Sequence, residues 1–445
     1  MANAVAPDSA EGLDYSKRPV PVEGRMPPFA LTMAFWSCCS AMFWIVVAAT
    51  LASAYGTRNT LIGLILSVLS YGAVNFFMAR YAIRTGLSVS LFSRLLFGRT
   101  GSALATLIFA ATAIYYAVFE GSVIALAGTF LYSSLDYKIA ALVVVLYSVP
   151  LVFGSVQHWL DKFNGVLLPV YLLGLAVAVG LAIYKYGYSN AWLEMGPAGG
   201  ASPTGWWNVY VAYMGVWIMM MFTFDYARFG RKEDEGYHSL FNFGAPFYAL
   251  ALLVSGVAGI FLVNTIPLEG GLSEVSAVKA IIVMMGIFGL IFVWVTQTRI
   301  NTANYYLAAV NLESLARLTL GLNQPKYVWA IVVGIVVYIL MLANVFHYIL
   351  AALAYQGIFV VAWVGVALAY ILRRAPHEPE DAGARPDEAY PAFNPSGLVA
   401  WFGAVIVGII LMNVPAAATF SAPATAVISF GLFWVLGTSA KLVSA

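Results

Sequence analysis

The sequence predicts an all-α membrane protein of about twelve transmembrane helices, on three observations. Of its 445 residues, 62% are hydrophobic and only 9% are charged. Apolar stretches of roughly 20 residues, the length a helix needs to cross the hydrocarbon core, recur between residues 29 and 440. Basic residues fall almost entirely on alternate connections between those stretches. A soluble domain of this size carries roughly a quarter charged residues, because it must cover its exterior with polar groups. A bilayer removes that demand, and it imposes helices, since lipid offers no partner to backbone N–H and C=O groups.

The spans are expected at 29–54, 61–84, 103–131, 138–156, 164–186, 204–228, 240–266, 277–307, 327–345, 348–372, 397–414 and 418–440. The net charge of +2 says little, but its placement sets the orientation. With the N-terminus inside, the outer connections hold only Arg58, Lys138, Lys185 and Lys279. Arg299 lies within a span, and the remaining basic residues fall on the inner side. That excess places both termini in the cytoplasm. Residues 1–26 are polar and lack the apolar centre of an export signal, so they are expected to form a cytoplasmic tail before a ten-helix core, 27–374. The stretch 375–396, rich in Pro and acid, is expected to be a solvated cytoplasmic linker to two accessory helices in 397–445.

Several function classes drop out. Cys38 and Cys39 are adjacent inside an apolar run, which suits neither a disulfide nor a metal site, and the four histidines are scattered. No metal, cofactor or nucleic-acid partner is expected. No nucleophile–base–orienter set appears, so the chain is not expected to be an enzyme. A channel or sensor remains as a rival class. It would be told apart by non-saturable conduction or an appended signalling domain, and this sequence carries no such domain.

Two spans carry material for a break. The first holds Ser37-Cys38-Cys39-Ser40 at mid-depth, and the sixth holds Gly215, Val216 and Trp217. Small and hydroxyl residues permit local unwinding, and they equally serve close helix packing. Position adds weight to unwinding. These spans open two successive sets of five, and carriers built from inverted repeats place their substrate at breaks in such helices. The two halves show no strong sequence repeat, so this reading rests on helix counting.

Ionisable residues inside the spans come next. A charge at the bilayer centre costs about 2.5–3.5 kcal/mol on insertion scales, so it faces a cavity or a partner. Glu120 lies midway along the third span, Arg299 in the eighth, and Asp225 near the inner end of the sixth. An ion pair that merely fixes packing is the alternative for each, most of all for Asp225, which has Arg228 and Arg231 close by in sequence. Tyr116 precedes Glu120 by four residues and so shares its helical face, with Ala113 leaving room. An aromatic plate beside a carboxylate suits a flat ring bearing N–H donors; ordinary packing of a tyrosine is the alternative. In TQTRINTANYYLAAVNLESL (296–315), Asn301, Asn304 and Tyr305 fall on adjoining parts of one face. Arg299, two residues or roughly 200° from Asn301, points elsewhere.

These segments resemble the first nucleobase–cation symporter family, which includes cytosine permeases and hydantoin, allantoin and uracil carriers. SRLLFGRTGS (93–102) resembles the loop before that family's third helix. DYARFGR (225–231) and NTANYYLAAVNL (301–312) resemble the cytosine-permease branch at the end of helix 6 and in helix 8. YILRR (370–374) is similar to the end of helix 10, although Ala369 stands where an Asp is frequent. The resemblance spans roughly residues 25–375.

It implies a leucine-transporter-type 5+5 inverted repeat plus two accessory helices, working by alternating access in a bacterial inner membrane. It places the stacking aromatic on Tyr116 and a polar substrate contact on Glu120. The second stacking position falls on Val216 or Trp217 beside Gly215, with Trp217 favoured because an aromatic is needed. Asn301, Asn304 and Tyr305 fall among the substrate-side positions. The family's sodium site would draw on helix 1 carbonyls near Ser37 and Ser40 and on two helix 8 hydroxyls, but those positions hold Arg299 and Ile300 here. A fixed guanidinium there implies coupling to protons in preference to sodium. Glu120 is the first candidate to carry the proton, ahead of Asp225 and His347. The implied cargo is a nucleobase such as cytosine or a purine. Allantoin, hydantoins, uracil, a thiamine precursor, or an amino acid or amine carried by the same fold are the alternatives.

Overall fold

Among the described residues the backbone is helical with short turns, and the sole β-type contact is a bridge between Met26 and Gly230. The computed structural model describes residues 18–152, 155–268, 272–343, 348–373, 375 and 389–437. The first span is two helices, α1 (Pro28–Trp36) and α2 (Met42–Tyr55), and α3 (Thr57–Thr85) follows. A short helix, α4 (Val89–Phe97), lies in what the sequence suggests is a loop. The Ser88 hydroxyl caps it by accepting from the Leu91 amide at 3.2 Å, which satisfies an N-terminal donor that the helix cannot. Then come α5 (Ser102–Leu131), α6 (Tyr137–Leu151) and α7 (Ser155–Tyr186).

The sixth span is again two helices, α8 (Gly205–Met214) and α9 (Ile218–Ala227). α10 (Lys232–Thr265) contains π-helical turns at His238–Asn242 and Ala249–Val254. α11 (Ser276–Met285), α12 (Ile287–Leu320), α13 (Lys326–Leu342), α14 (Ile349–Arg373), α15 (Pro395–Met412) and α16 (Ser421–Leu436) complete the chain. Seven helices among the described residues are long and apolar enough to cross a membrane, or up to nine if each bent pair is one span. Leu69, Leu146, Leu173 and Val427 are among the large apolar side chains on the exterior, as expected where lipid is the solvent.

Three boundary expectations change. The stretch 277–307 is not one helix: Gly286, with φ 56°, separates α11 from α12, and α12 runs on to Leu320. A side chain rarely adopts that backbone shape, and hydropathy registers neither the glycine's dihedral nor a helix that continues into polar sequence. The end of the expected linker is tied down, although residues 391–393 stay exposed. Tyr390 is buried, and the carbonyls of Pro391 and Ala392 accept from the amides of Arg99 and Thr100 at 2.8 Å each. The end of the expected tail is likewise stitched down. The Val20 amide donates to Gly86 and that of Met26 to Phe229, while Arg25 donates to the carbonyls of Ile83 and Gly230 at 2.7 Å each. This strap crosses the end of α3 and the turn after α9.

α5 lies along α12, α3 packs on α8 and α9, and α2 packs on the last turns of α10. α15 and α16 pack on each other and on α14. The two broken spans sit between the α5–α12 pair and the α3 side.

Candidate functional site

Residues Ser37–Ser40 form a 3-10 turn and Ala41 is extended (φ −62°, ψ 126°), so α1 and α2 meet at a 42° bend. Such a break leaves orphaned backbone groups inside an apolar medium, where each is costly. Nearby side chains satisfy them. The Trp44 indole donates to the Cys38 carbonyl at 2.9 Å, and the Ser40 hydroxyl donates to the Ser37 carbonyl at 2.7 Å. Gln297 of α12 serves two more. Its amide nitrogen donates to the Ser40 carbonyl at 3.1 Å, and its oxygen accepts from the Met42 amide at 3.0 Å.

The second break is tighter. Gly215, Val216 and Trp217 bond back to Ala212, Tyr213 and Met214 at 2.9–3.1 Å, and α8 and α9 bend by 44°. Glycine is required at its centre. A Cβ on Gly215 would lie 2.5 Å from the Leu353 carbonyl oxygen of α14, and one on Gly357 of α14 would lie 2.6 Å from the Gly215 Cα. α14 therefore rests its backbone directly on the break.

Between the breaks lies a small cavity of about 60 Å³. Around the first break Cys38, Ala41, Phe43 and Trp44 line it, and α5 contributes Tyr116 and Glu120. Val216, Met219, Phe222 and Tyr226 line the side of the second break, and α12 adds Ile300, Ala303 and Asn304. Most of this wall is apolar or aromatic. Phe43 is set edge-on to Tyr116, Trp44 and Phe119 with centroids 5.3 Å apart in each case, which holds the Tyr116 ring in place. Glu120 is 1% exposed, and no ion pair among the described residues includes it. Its Oε2 and the Asn304 Nδ2 are buried without a hydrogen-bond partner, while the Tyr116 hydroxyl has the Gln356 side chain of α14 beside it. Native structures rarely leave such atoms unsatisfied. The three residues line one cavity, and they carry a carboxylate acceptor, an amide donor and a hydroxyl that does either.

Tyr116, Glu120, Val216 and Asn304 therefore come together as the sequence suggests. The other candidates do not join them on the cavity wall. Trp217, favoured over Val216, is buried but is not part of the cavity lining. In a 3-10-like turn each residue rotates about 120°, so the neighbour of a lining residue faces elsewhere. Asn301 and Tyr305 are fully buried but absent from the lining, which on α12 follows Ile300, Ala303 and Asn304. Asn301 and Tyr305 stand one position, about 100°, around the helix. Gly215 contributes the close approach of α14 and not the lining.

The hydroxyls of Ser37 and Ser40 turn back onto backbone carbonyls, Ser37 to Ala34 at 2.8 Å. Arg299 is buried and acts electrostatically on Cys38. Asp225 accepts from the Val89 amide at 2.8 Å, which gives it a structural task at the start of α4. His347 lies outside the described residues. Sequence reasoning passed over Phe43, Trp44, Met219, Phe222 and Tyr226, whose aromatic and methionine side chains look like ordinary core. It also passed over Gln297, an amide in the polar run TQTRINT whose partners lie far away in sequence.

Neither a family model nor a curated protein sequence matches the chain. Solved structures do. The inward-facing conformation of Mhp1 superposes with a TM-score of 0.76 at 15% identity, covering 97% of this chain and 96% of that one. Mhp1, described as a nucleobase-cation-symport-1 family transporter, in a closed conformation with bromovinylhydantoin bound, gives 0.74 at 18% identity, covering 97% of each chain. A Na+-coupled sialic acid symporter, substrate-bound and outward-open, gives 0.67 at 15%, covering 97% and 94%. The likeness fixes the fold. Along essentially its whole length the chain has the Mhp1 architecture, the leucine-transporter-type inverted repeat.

Proposed function

We propose, on the premise of this fold, that the protein is a secondary transporter that imports a nucleobase or similar flat nitrogen heterocycle by alternating access across a bacterial inner membrane. The observation that carries the reading is the pair of buried, unpartnered polar atoms from Glu120 and Asn304, which with the Tyr116 ring line one apolar and aromatic cavity between two helix breaks. A ring with adjacent N–H donors and a carbonyl acceptor fits them. The carboxylate of Glu120 accepts the N–H groups, the amide of Asn304 donates to the carbonyl, and Tyr116 and Phe43 flank the ring. Guanine carries that pattern, with N1–H beside its 2-amino group and its 6-carbonyl next to them; cytosine meets part of it, with its 4-amino group for the carboxylate and its 2-carbonyl for the amide. Hydantoin, whose N–H lies between two carbonyls, is the second reading, since a hydantoin is the ligand bound in one of the solved structures of like fold.

Binding of radiolabelled cytosine, guanine, uracil, hydantoin and allantoin, with leucine as control, tests the assignment. Glu120→Ala removes charge-assisted hydrogen bonds worth roughly 1.5–3 kcal/mol, so affinity for the true ligand falls about 10- to 150-fold. Glu120→Gln falls less and selectively for amino-bearing rings. Unchanged affinity for every ring in both variants removes Glu120 from the site.

The coupling ion is proposed to be the proton. Carbonyl oxygens at the first break, those of Ser37, Cys38 and Ser40, already accept from protein donors, and Arg299 is buried close enough to act on Cys38. That leaves a poor cradle for sodium, which seeks several oxygen ligands. Glu120 is the carboxyl on the cavity wall and so the group proposed to carry the proton. Uptake should survive replacement of sodium by choline and collapse with a protonophore; a strict sodium requirement sinks this part of the reading.

A further inference from the structure

We infer that Gln297 is a positioning residue that ties the break in the first span to α12, and that this break changes shape only by releasing it. Gln297 is fully buried and is not part of the cavity lining. Its amide uses both ends on one short piece of backbone 255–257 residues earlier in sequence. It donates to the Ser40 carbonyl and accepts from the Met42 amide, on either side of the extended Ala41. The second N–H donates to the Thr296 hydroxyl at 2.8 Å, and that hydroxyl is itself held by the Phe292 carbonyl at 2.8 Å. The amide orientation is therefore fixed, because a flipped group would set NH2 against the Met42 N–H.

Only a neutral side chain with a donor and an acceptor at this reach meets both orphaned groups. A methionine of similar length meets neither, and an asparagine falls one methylene short. In a medium without water the two groups have no substitute partner. The tie thus joins a hinge-like turn to a long straight helix, at the level where Cys38 faces the cavity.

Cys38 supplies the readout, since the chain has two cysteines and Cys39 is fully buried. In a Cys39→Ala background, the rate of Cys38 alkylation by N-ethylmaleimide is measured in membrane vesicles, and the melting temperature in detergent is recorded alongside. Gln297→Met is expected to raise the alkylation rate about fivefold or more while the fold persists, because the released break samples more open shapes. Gln297→Asn is the second variant, expected to act in the same direction and to fold where the methionine does not.

A folded variant that alkylates at the unaltered rate overturns the proposal. So does a lowered melting temperature with no change in Cys38 reactivity, which marks a purely structural amide. Hydrogen exchange on the unsubstituted chain gives an independent check. The peptide spanning Ser40–Trp44 should exchange as slowly as the middle of α12 despite lying at a break, and rapid exchange there refutes the tie.

Discussion

A carboxyl and a phenol one helical turn apart stand on the cavity wall. Glu120 and Tyr116 were legible in the sequence because both lie on α5, a straight helix in which i and i+4 share a face. Their roles separate by substitution. Tyr116→Phe removes one hydroxyl and should cost ligand affinity only a few-fold, whereas Tyr116→Ala also removes the flanking ring and should cost more, about 1–3 kcal/mol in all or 5- to 150-fold. Asn304→Ala should weaken carbonyl-bearing ligands and spare rings that lack the carbonyl; equal loss for both, read by the same binding panel with adenine added as the carbonyl-free ring, assigns Asn304 to packing. The sixth span was harder to read at this scale. Choosing between Val216 and Trp217 by chemical type favours the aromatic. The turn between α8 and α9 decides by angle instead and puts Val216 on the wall.

Helices carried a different share of the information. The breaks in the first and sixth spans announced themselves through small and hydroxyl residues, yet those residues alone do not separate a break from close packing. In this protein Gly215 serves both, since it sits in the turn and receives the backbone of α14. Gly357→Ala would force its new methyl to 2.6 Å from the Gly215 Cα. It should lower stability by about 1–3 kcal/mol as an overpacked contact does, visible as a lower melting temperature. Gly431→Ala in α16, with nothing within 4 Å of the new methyl, should leave the melting temperature unchanged or slightly raised. Equal effects at the two sites contradict the backbone contact. The division at Gly286 escaped the sequence because hydropathy runs straight through it. Gln297 was overlooked because its partners are main-chain groups some 255 positions away, which no local pattern records.

At the scale of the whole molecule, composition alone secured a helical membrane protein, because 9% charge leaves too little polar surface for a soluble exterior. The placement of lysine and arginine predicts the orientation, and a reporter fused after Ala445 should read cytoplasmic; a signal from the opposite face reverses the topology. What composition could not supply was the closure of the chain ends. The strap of residues 18–26 joins Gly86, Ile83, Phe229 and Gly230, and nothing in its polar character announces a docking place. That closure bears on biogenesis. Arg25 leaves the ribosome 205 residues before Gly230, a delay of about 10–40 s at ordinary synthesis rates. The strap must therefore wait, unanchored, until the sixth span has been made, while the helices between them are laid down.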